Sequence, residues 1–197
     1  MAVDTTTPSA RKIELLEAAY RYALAHGLSD LSLRPLAAAI GTSPRVLLFL
    51  FGSKDGLVRA LLARARTDEL ALLERLRDGD THAAGLAAAV EKVWSWLVAV
   101  EHRPLLTLWA EAYARSLVEP DGAWAGFAGE TVEDWLDVLA KSQPAHEKDA
   151  ETGAAARTLA LAVLRGALLD VLATGDIERV TAAVHRHVRQ LRGDQPV

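Results

Sequence analysis

The spacing of apolar residues is the feature that most constrains how this chain folds. Apolar side chains recur every three or four positions, as at Leu86, Val90, Val93 and Leu97. This is the spacing of residues on one face of an α-helix. The sequence nowhere sustains the alternation of apolar and polar residues that marks a half-buried strand. The pattern therefore predicts an all-α protein.

Prolines and glycines divide this pattern into about nine helices. A helix tolerates proline only in its first turn or beyond its ends, so the seven prolines of the chain mark helix boundaries. The predicted helices cover about residues 9–26, 33–40, 44–51, 53–77, 81–101, 104–118, 122–141, 150–173 and 177–192.

The composition excludes several classes of function. The chain has 197 residues, of which 51% are hydrophobic, so it can bury a substantial core. It has no cysteine, which excludes disulfides, thiolate zinc sites and a cysteine nucleophile. The sequence contains no Glu-x-x-His, His-Glu-x-x-His or Gly-x-Ser-x-Gly motif and no Gly-rich phosphate loop. His185 and His187 would point to different faces of a helix. We expect no enzyme activity, no metal site and no cofactor.

The distribution of apolar residues also bears on membrane contact. Residues 1–9 are polar and lack the apolar segment of a secretion signal. The most apolar long stretch, residues 154–174, is interrupted by Arg157, Arg165 and Asp170. These charges make it a poor membrane span. We expect a cytoplasmic protein that does not contact a membrane.

The charge is distributed unevenly along the chain. Residues 1–66 contain nine basic and five acidic side chains, whereas residues 67–197 contain 13 basic and 21 acidic ones. The basic excess at one end indicates either a surface that faces nucleic acid or charges that merely solvate the protein.

Residues 32–54 have the pattern of a helix-turn-helix. Two short predicted helices flank Gly41, a residue that accepts the backbone conformation of a tight turn. Ala37 is small enough for the two helices to approach closely, and Leu47 is predicted to point into the core below them. Ser32 and the pair Ser43-Pro44 are suitable helix starts. The remaining small-core positions are predicted at Leu36, Ile40 and Val46.

The run from Ser32 to Leu57, with its junction Phe51-Gly52-Ser53-Lys54-Asp55, resembles the DNA-binding domain of the tetracycline-repressor (TetR) family. The number and order of the predicted helices are also similar to that family. The resemblance implies a three-helix DNA-binding domain over residues 1–52 and a connecting helix over about 53–77. It further implies a helical domain for ligand binding and dimerisation over 78–197.

The resemblance implies roles in DNA binding for six residues. The helix over 44–51 would enter the major groove with Thr42, Ser43 and Arg45 near its tip, and Arg45 would contact a base because arginine reads guanine. Ser32, Arg34 and Lys54 would hold phosphates. Alternatively, Ser32 and Ser43 only cap helices, and the side chains of Arg34 and Lys54 are only solvated surface charges.

The chain departs from the family pattern where a Tyr and a His usually precede the closing Phe. Leu48, Phe49 and Leu50 occupy this part of the helix, so the tyrosine hydroxyl that commonly contacts phosphate is absent. Leu48 and Phe49 contact thymine methyl groups, are buried, or fill a changed helix surface. The substitution bears on the strength and sequence preference of DNA binding.

Aromatic residues are concentrated in the predicted helices between residues 81 and 141. All five tryptophans lie there, and such a bundle either lines a cavity for an apolar or aromatic effector or simply packs a core. Trp109 and Tyr113 share a helix face, and Glu111 and His102 are candidate polar groups. The predicted ligand-binding residues are Trp94, His102, Trp109, Tyr113, Trp124, Phe127 and Trp135.

The predicted helix over 150–173 carries a stripe of leucines beside small residues, and the last predicted helix adds further apolar residues. The leucines are Leu161, Leu164, Leu168 and Leu172, and the last helix adds Ile177, Val180, Val184 and Leu191. In the family, the corresponding helices form a four-helix bundle with a second subunit. The expected partners are therefore double-stranded DNA, a small-molecule effector and a second copy of the chain. The predicted function is a ligand-responsive regulator, released from DNA by its effector. The alternative is a helical small-molecule-binding protein with weakened DNA binding.

Overall fold

The computed structural model describes residues 10–28, 30–78 and 85–193, and these residues form ten α-helices and no β-strand. The helices are α1 (Ala10–His26), α2 (Leu33–Ala39), α3 (Pro44–Phe51), α4 (Lys54–Asp78), α5 (Gly85–Leu97), α6 (Arg103–Val118), α7 (Phe127–Ser142), α8 (Ala145–Lys148), α9 (Glu151–Thr174) and α10 (Ile177–Leu191).

The all-α fold and the order of the nine predicted helices are confirmed, with three local differences. The fifth helix ends at Leu97, and a 3-10 turn, Val100–His102, precedes α6. The seventh begins only at Phe127, because Gly126 before it has φ +79°, a left-handed conformation outside a helix. The sequence did not predict the short helix α8, so the last two predicted helices are α9 and α10. Residues 81–84 of the predicted fifth helix lie outside the described residues.

The helix-turn-helix geometry is set by the small residues that the sequence indicated. The directions of α2 and α3 differ by 103°, within the range typical of this motif. Gly41 in the turn has φ +68°, and Ala37 and Leu47 are buried between the helices. Val46, however, is 37% exposed. Its predicted place in the small core is wrong because Leu47, about 100° around the helix, takes the inward position.

One hydrophobic core, the first core, joins this motif to α1 and to the beginning of α4. Its most buried members include Leu36 from α2, Leu47 from α3, and Leu57 and Leu61 from α4. Helix α6 and the segment after it extend the same core with Leu108, Ala112, Trp124 and Phe127. The motif is therefore packed against the rest of the chain as well as within itself.

A second core lies among α5, α7, α9 and α10, around Val90, Leu139, Ala160 and Val184, none of which is exposed. The leucines of α9 take part in it, since Leu161, Leu164 and Leu168 are buried there. Interpreting this leucine stripe as a surface for a second subunit is therefore wrong. Those side chains face the interior of their own chain.

No single helix among the described residues is long and apolar enough to cross a membrane. Helices α2 and α3 taken together are long and apolar enough for a bent span, but the sharp turn between them is that of the helix-turn-helix.

Candidate nucleic-acid interface and ligand cavity

The eight residues predicted to bind DNA lie on α2, on α3 with its preceding turn, and in the first turn of α4. These helices are joined by the first core. Thr42 is half-buried and the other seven are exposed, namely Ser32, Arg34, Ser43, Arg45, Leu48, Phe49 and Lys54. All eight are therefore accessible to a partner, and their DNA contacts stay predictions.

The helix starts in this region differ in how their serines are used. Ser43 Oγ accepts a hydrogen bond from the Val46 backbone N–H at 3.3 Å, so this side chain caps α3. Ser53 Oγ caps α4 in the same way, at 2.9 Å from the Gly56 N–H. Ser32 precedes α2 but makes no side-chain cap bond, so capping does not account for its hydroxyl.

The middle of α3 presents apolar side chains to solvent. Phe49 is 86% exposed and Leu48 is 40% exposed, which rejects the alternative that they are buried. An aromatic ring held in water makes no contribution to the core, and apolar side chains on a recognition helix are suited to thymine methyl groups.

The beginning of α4 lies so close to the end of α3 that it requires glycine. A Cβ atom on Gly56 would lie 2.0 Å from the Phe51 carbonyl oxygen. Gly56 was not among the residues predicted from the sequence. Its signal is a glycine inside the first turn of a long predicted helix, a position where glycine lowers helix propensity.

A cavity of about 50 Å³ lies between the two cores. Helix α4 bounds it with Ala65 and Glu69, and the other walls come from α5, α6, α7 and α9. The lining residues are Ala65, Glu69, Val93, Trp96, Leu97, Leu105, Leu106, Trp109, Phe127, Trp135, Leu161, Leu164, Arg165 and Leu168. The walls are apolar apart from a few polar groups, as in small-molecule sites.

Three of the seven predicted ligand-binding residues line this cavity: Trp109, Phe127 and Trp135. Tyr113 lies next to it, with its ring centroid 5.0 Å from that of Trp109. The sequence prediction omitted Trp96, Glu69 and Arg165. Arg165 did have a visible signal, because it is a charge inside the most apolar stretch of the chain.

The other three predicted ligand-binding residues are used elsewhere. Trp94 is buried against α10 and donates a hydrogen bond from Nε1 to Thr181 Oγ1 at 3.0 Å. His102 stacks on Trp96 with ring centroids 4.0 Å apart. Trp124 belongs to the first core. None of the three lines the cavity, and their roles as ligand contacts stay untested predictions.

The charged side chains that line the cavity are Glu69 and Arg165. Burial raises the pKa of Glu69 to about 7, and the Trp135 Nε1–H donates a hydrogen bond to its carboxylate at 2.6 Å. The Arg165 guanidinium lies 5.0 Å from the centroid of the Tyr113 ring. Among the described residues, no group of three or more histidine or carboxylate side chains is arranged to hold a metal ion.

Polar contacts tie the cavity walls to the DNA-binding end. Arg66 of α4 forms ion pairs with Glu130 and Asp134 of α7, the latter at 2.8 Å. Helix α6 contributes Leu108 and Ala112, one helical turn apart, to the first core. Beside them, the carboxylate of Glu111 accepts a hydrogen bond from the backbone N–H of Leu28 at 2.8 Å. Glu111, a candidate polar ligand contact, thus faces the end of α1.

A different face of α9 is left open to solvent. Ala155, Leu159, Ala162, Gly166 and Leu169 recur at three- and four-residue spacing, and all five are exposed. No described residue outside helix α9 lies within 4 Å of the Cβ position of Gly166, so another helix has room to approach this face closely.

These features define a helix-turn-helix protein with an attached helical domain and a small apolar cavity between its two cores. Residues 15–61 match the sequence profile of bacterial regulatory proteins of the tetR family. The helix-turn-helix end of the chain therefore matches the DNA-binding domain of the TetR family of transcriptional regulators.

Solved structures share the whole fold. A transcriptional regulator from Rhodococcus sp. RHA1 is 21% identical with a TM-score of 0.74, over 94% of this chain and 99% of that one. A TetR regulator from Legionella pneumophila is 17% identical with a TM-score of 0.71, over 96% and 98%. The multidrug binding protein EbrR, solved with proflavin, is 25% identical with a TM-score of 0.59, over 90% and 99%. No curated protein sequence matches the chain significantly.

Proposed function

We propose that this protein is a repressor that binds an operator through α3 and is released by a small apolar or aromatic effector. The observation that carries the proposal is the position of α4. Leu57 and Leu61 of this helix belong to the first core, and Ala65 and Glu69, one and two turns further on, line the cavity. One continuous helix therefore links a potential ligand to the DNA-binding surface.

In the proposed complex, Arg45 reads a base and Thr42 and Ser43 approach the groove beside it. Ser32, Arg34 and Lys54 hold the phosphates, since side chains at helix starts favour anions. Leu48 and Phe49 contact thymine methyl groups, which suits their exposure.

The effector would act by widening the cavity. The present volume of about 50 Å³ is too small for a drug-sized molecule. Entry of the effector would therefore require the walls to move apart, and α4 is the wall that continues into the first core. A shift of α4 would move the helix-turn-helix of each subunit, and the ligand would favour the conformation that fits DNA less well.

A dimer completes the proposal. The exposed face of α9, together with α10, is the surface we assign to the second subunit. A two-fold dimer would present its two copies of α3 roughly 34–36 Å apart, which fits successive major grooves of a palindromic operator. EbrR, a multidrug binding protein solved with imidazole and with proflavin, supports a small-molecule occupant for this fold.

The test is fluorescence anisotropy on DNA selected from genomic fragments, at ~50 and ~200 mM salt. Selective binding with a steep salt dependence is expected. Arg45→Ala should lose about 1–3 kcal/mol of discrimination at one base pair. Arg103→Ala, at an exposed arginine beginning α6, is the matched control and should bind normally. Absence of selective binding at either salt concentration would refute the regulator and favour a helical small-molecule-binding protein.

A further inference from the structure

Two hydrogen-bond donors in the cavity lack acceptors. Trp109 Nε1 and Arg165 Nη2 are both shielded from solvent, and neither has a hydrogen-bond partner among the described residues. Both residues line the same cavity, from α6 and from α9. Because buried donors in folded proteins are nearly always satisfied, these two indicate that an acceptor is missing.

The carboxylate of Glu69, which also lines the cavity, is not the missing acceptor. Glu69 already receives the Trp135 indole N–H at 2.6 Å, and Arg165 makes no ion pair within the part of the chain that the structure describes. The Tyr113 ring beside Arg165 attracts the cation but leaves its charge uncompensated. A guanidinium whose Nη2 is shielded from solvent without an acceptor favours an anionic partner.

We propose that the cavity binds an apolar or aromatic monocarboxylate, whose carboxylate accepts hydrogen bonds from Arg165 and Trp109 while its apolar body lies against Trp96, Leu106 and Leu164. The inference rests on the proposed function, for which it names the chemical class of the effector.

Glu69 determines how the site accommodates a second negative charge. Burial raises its pKa to about 7, so the side chain can hold a proton near neutral pH when an anion enters. The charged groups around it are Arg66 on the same helix, Asp134 on α7 and Arg165 on α9. The lining residues of α5 and α6 carry no titratable group. Anion binding should therefore take up a proton.

A cationic effector attracted by Glu69 is the competing chemistry. The geometry favours it less, because a cation would lie in the same cavity as Arg165 and would leave both unpaired donors without an acceptor. Ligands of the same shape but opposite charge distinguish an anionic from a cationic effector.

The probes are 3-phenylpropanoate, 3-phenylpropanol and 3-phenylpropylamine, which have nearly the same shape but are negative, neutral and positive. Calorimetry on the full chain should show the acid binding about tenfold more tightly than the alcohol, with the amine weakest. Arg165→Met should remove the preference for the acid. Trp109→Phe, which keeps the ring but loses the N–H, should weaken acid binding about fivefold.

Matched controls are Arg103→Met, outside the cavity, and Trp94→Phe, whose indole is bonded to Thr181 instead. Both should keep the preference for the acid. Circular dichroism and DNA anisotropy establish that each variant is folded. Equal binding of acid and alcohol, tighter binding of the amine, or binding of none of the three overturns the inference. A preference for the acid without selective DNA binding would leave the ligand class standing and refute the repressor.

Discussion

Glu69→Gln should stabilise the protein in a strongly pH-dependent way. Glu69 is only 7% exposed, and its pKa is raised from 4.5 to about 7, first by burial and then by the nearby Asp134. The folded chain thus holds the proton more tightly than the unfolded chain does. The stability contributed by the protonated group is complete below the unfolded pKa and is lost as the pH rises through the folded one.

The magnitude follows from the size of the shift. One pKa unit corresponds to about 1.4 kcal/mol, so ionised Glu69 costs about 3 kcal/mol at pH 8. Between pH 5 and pH 8 this cost of Glu69 to the free energy of unfolding grows by about 2–3 kcal/mol. It does not grow by the full amount because the unfolded carboxyl is already partly ionised at pH 5. The glutamine keeps an oxygen that can accept the Trp135 N–H but never ionises.

Urea denaturation at pH 5 and pH 8, followed by circular dichroism at one fixed protein concentration, measures this difference. The gap in free energy of unfolding between Glu69→Gln and the native chain should widen at pH 8. Glu133→Gln, at an exposed carboxylate of α7, should produce no such widening. The same gap at both pH values would refute the assignment of a buried, desolvated carboxyl.

Three further predictions concern the DNA surface, the dimer and the link between them. Phe49→Ala should lower operator affinity severalfold without lowering the denaturation midpoint, because the ring is 86% exposed; an unchanged affinity in anisotropy would remove Phe49 from the interface. Leu169→Glu on the open face of α9 should convert the dimer to a monomer in light scattering, whereas a dimer that persists would place the interface elsewhere. Glu111→Ala removes the acceptor of the Leu28 N–H and should cost about 1–3 kcal/mol of stability. It should also reduce effector-induced release of DNA, and full release with the variant would show that α6 does not couple the two ends.

The helix-turn-helix was predictable from the sequence because its determinants are local. The cap at Ser43, the turn at Gly41 and the small Ala37 act within a few residues of one another, and the structure has each where the sequence indicated. Val46 was misassigned because Leu47 beside it is equally apolar, and only the packing of α3 decides which of the two faces inward.

The cavity was only partly predictable, because its lining is assembled from five helices far apart in sequence. Tryptophan content indicated the correct region, but Trp94 and Trp109 look alike in sequence. Trp94 has Thr181 as a hydrogen-bond partner across the bundle, whereas Trp109 has none among the residues that the structure describes. The burial that raises the pKa of Glu69 is likewise a property of packing against α7 rather than of the residues beside it in the chain.

The sharing of α6 between the two ends has a consequence for protein engineering. Leu108 and Ala112 complete the first core from outside the helix-turn-helix, and both are fully or almost fully buried there. An isolated DNA-binding fragment made only of α1 to α4 would expose the apolar surface that these residues cover. A chimeric regulator built from this chain should therefore retain α6 together with α1 to α4. Because α6 also lines the cavity, the chimera would then include part of the effector site.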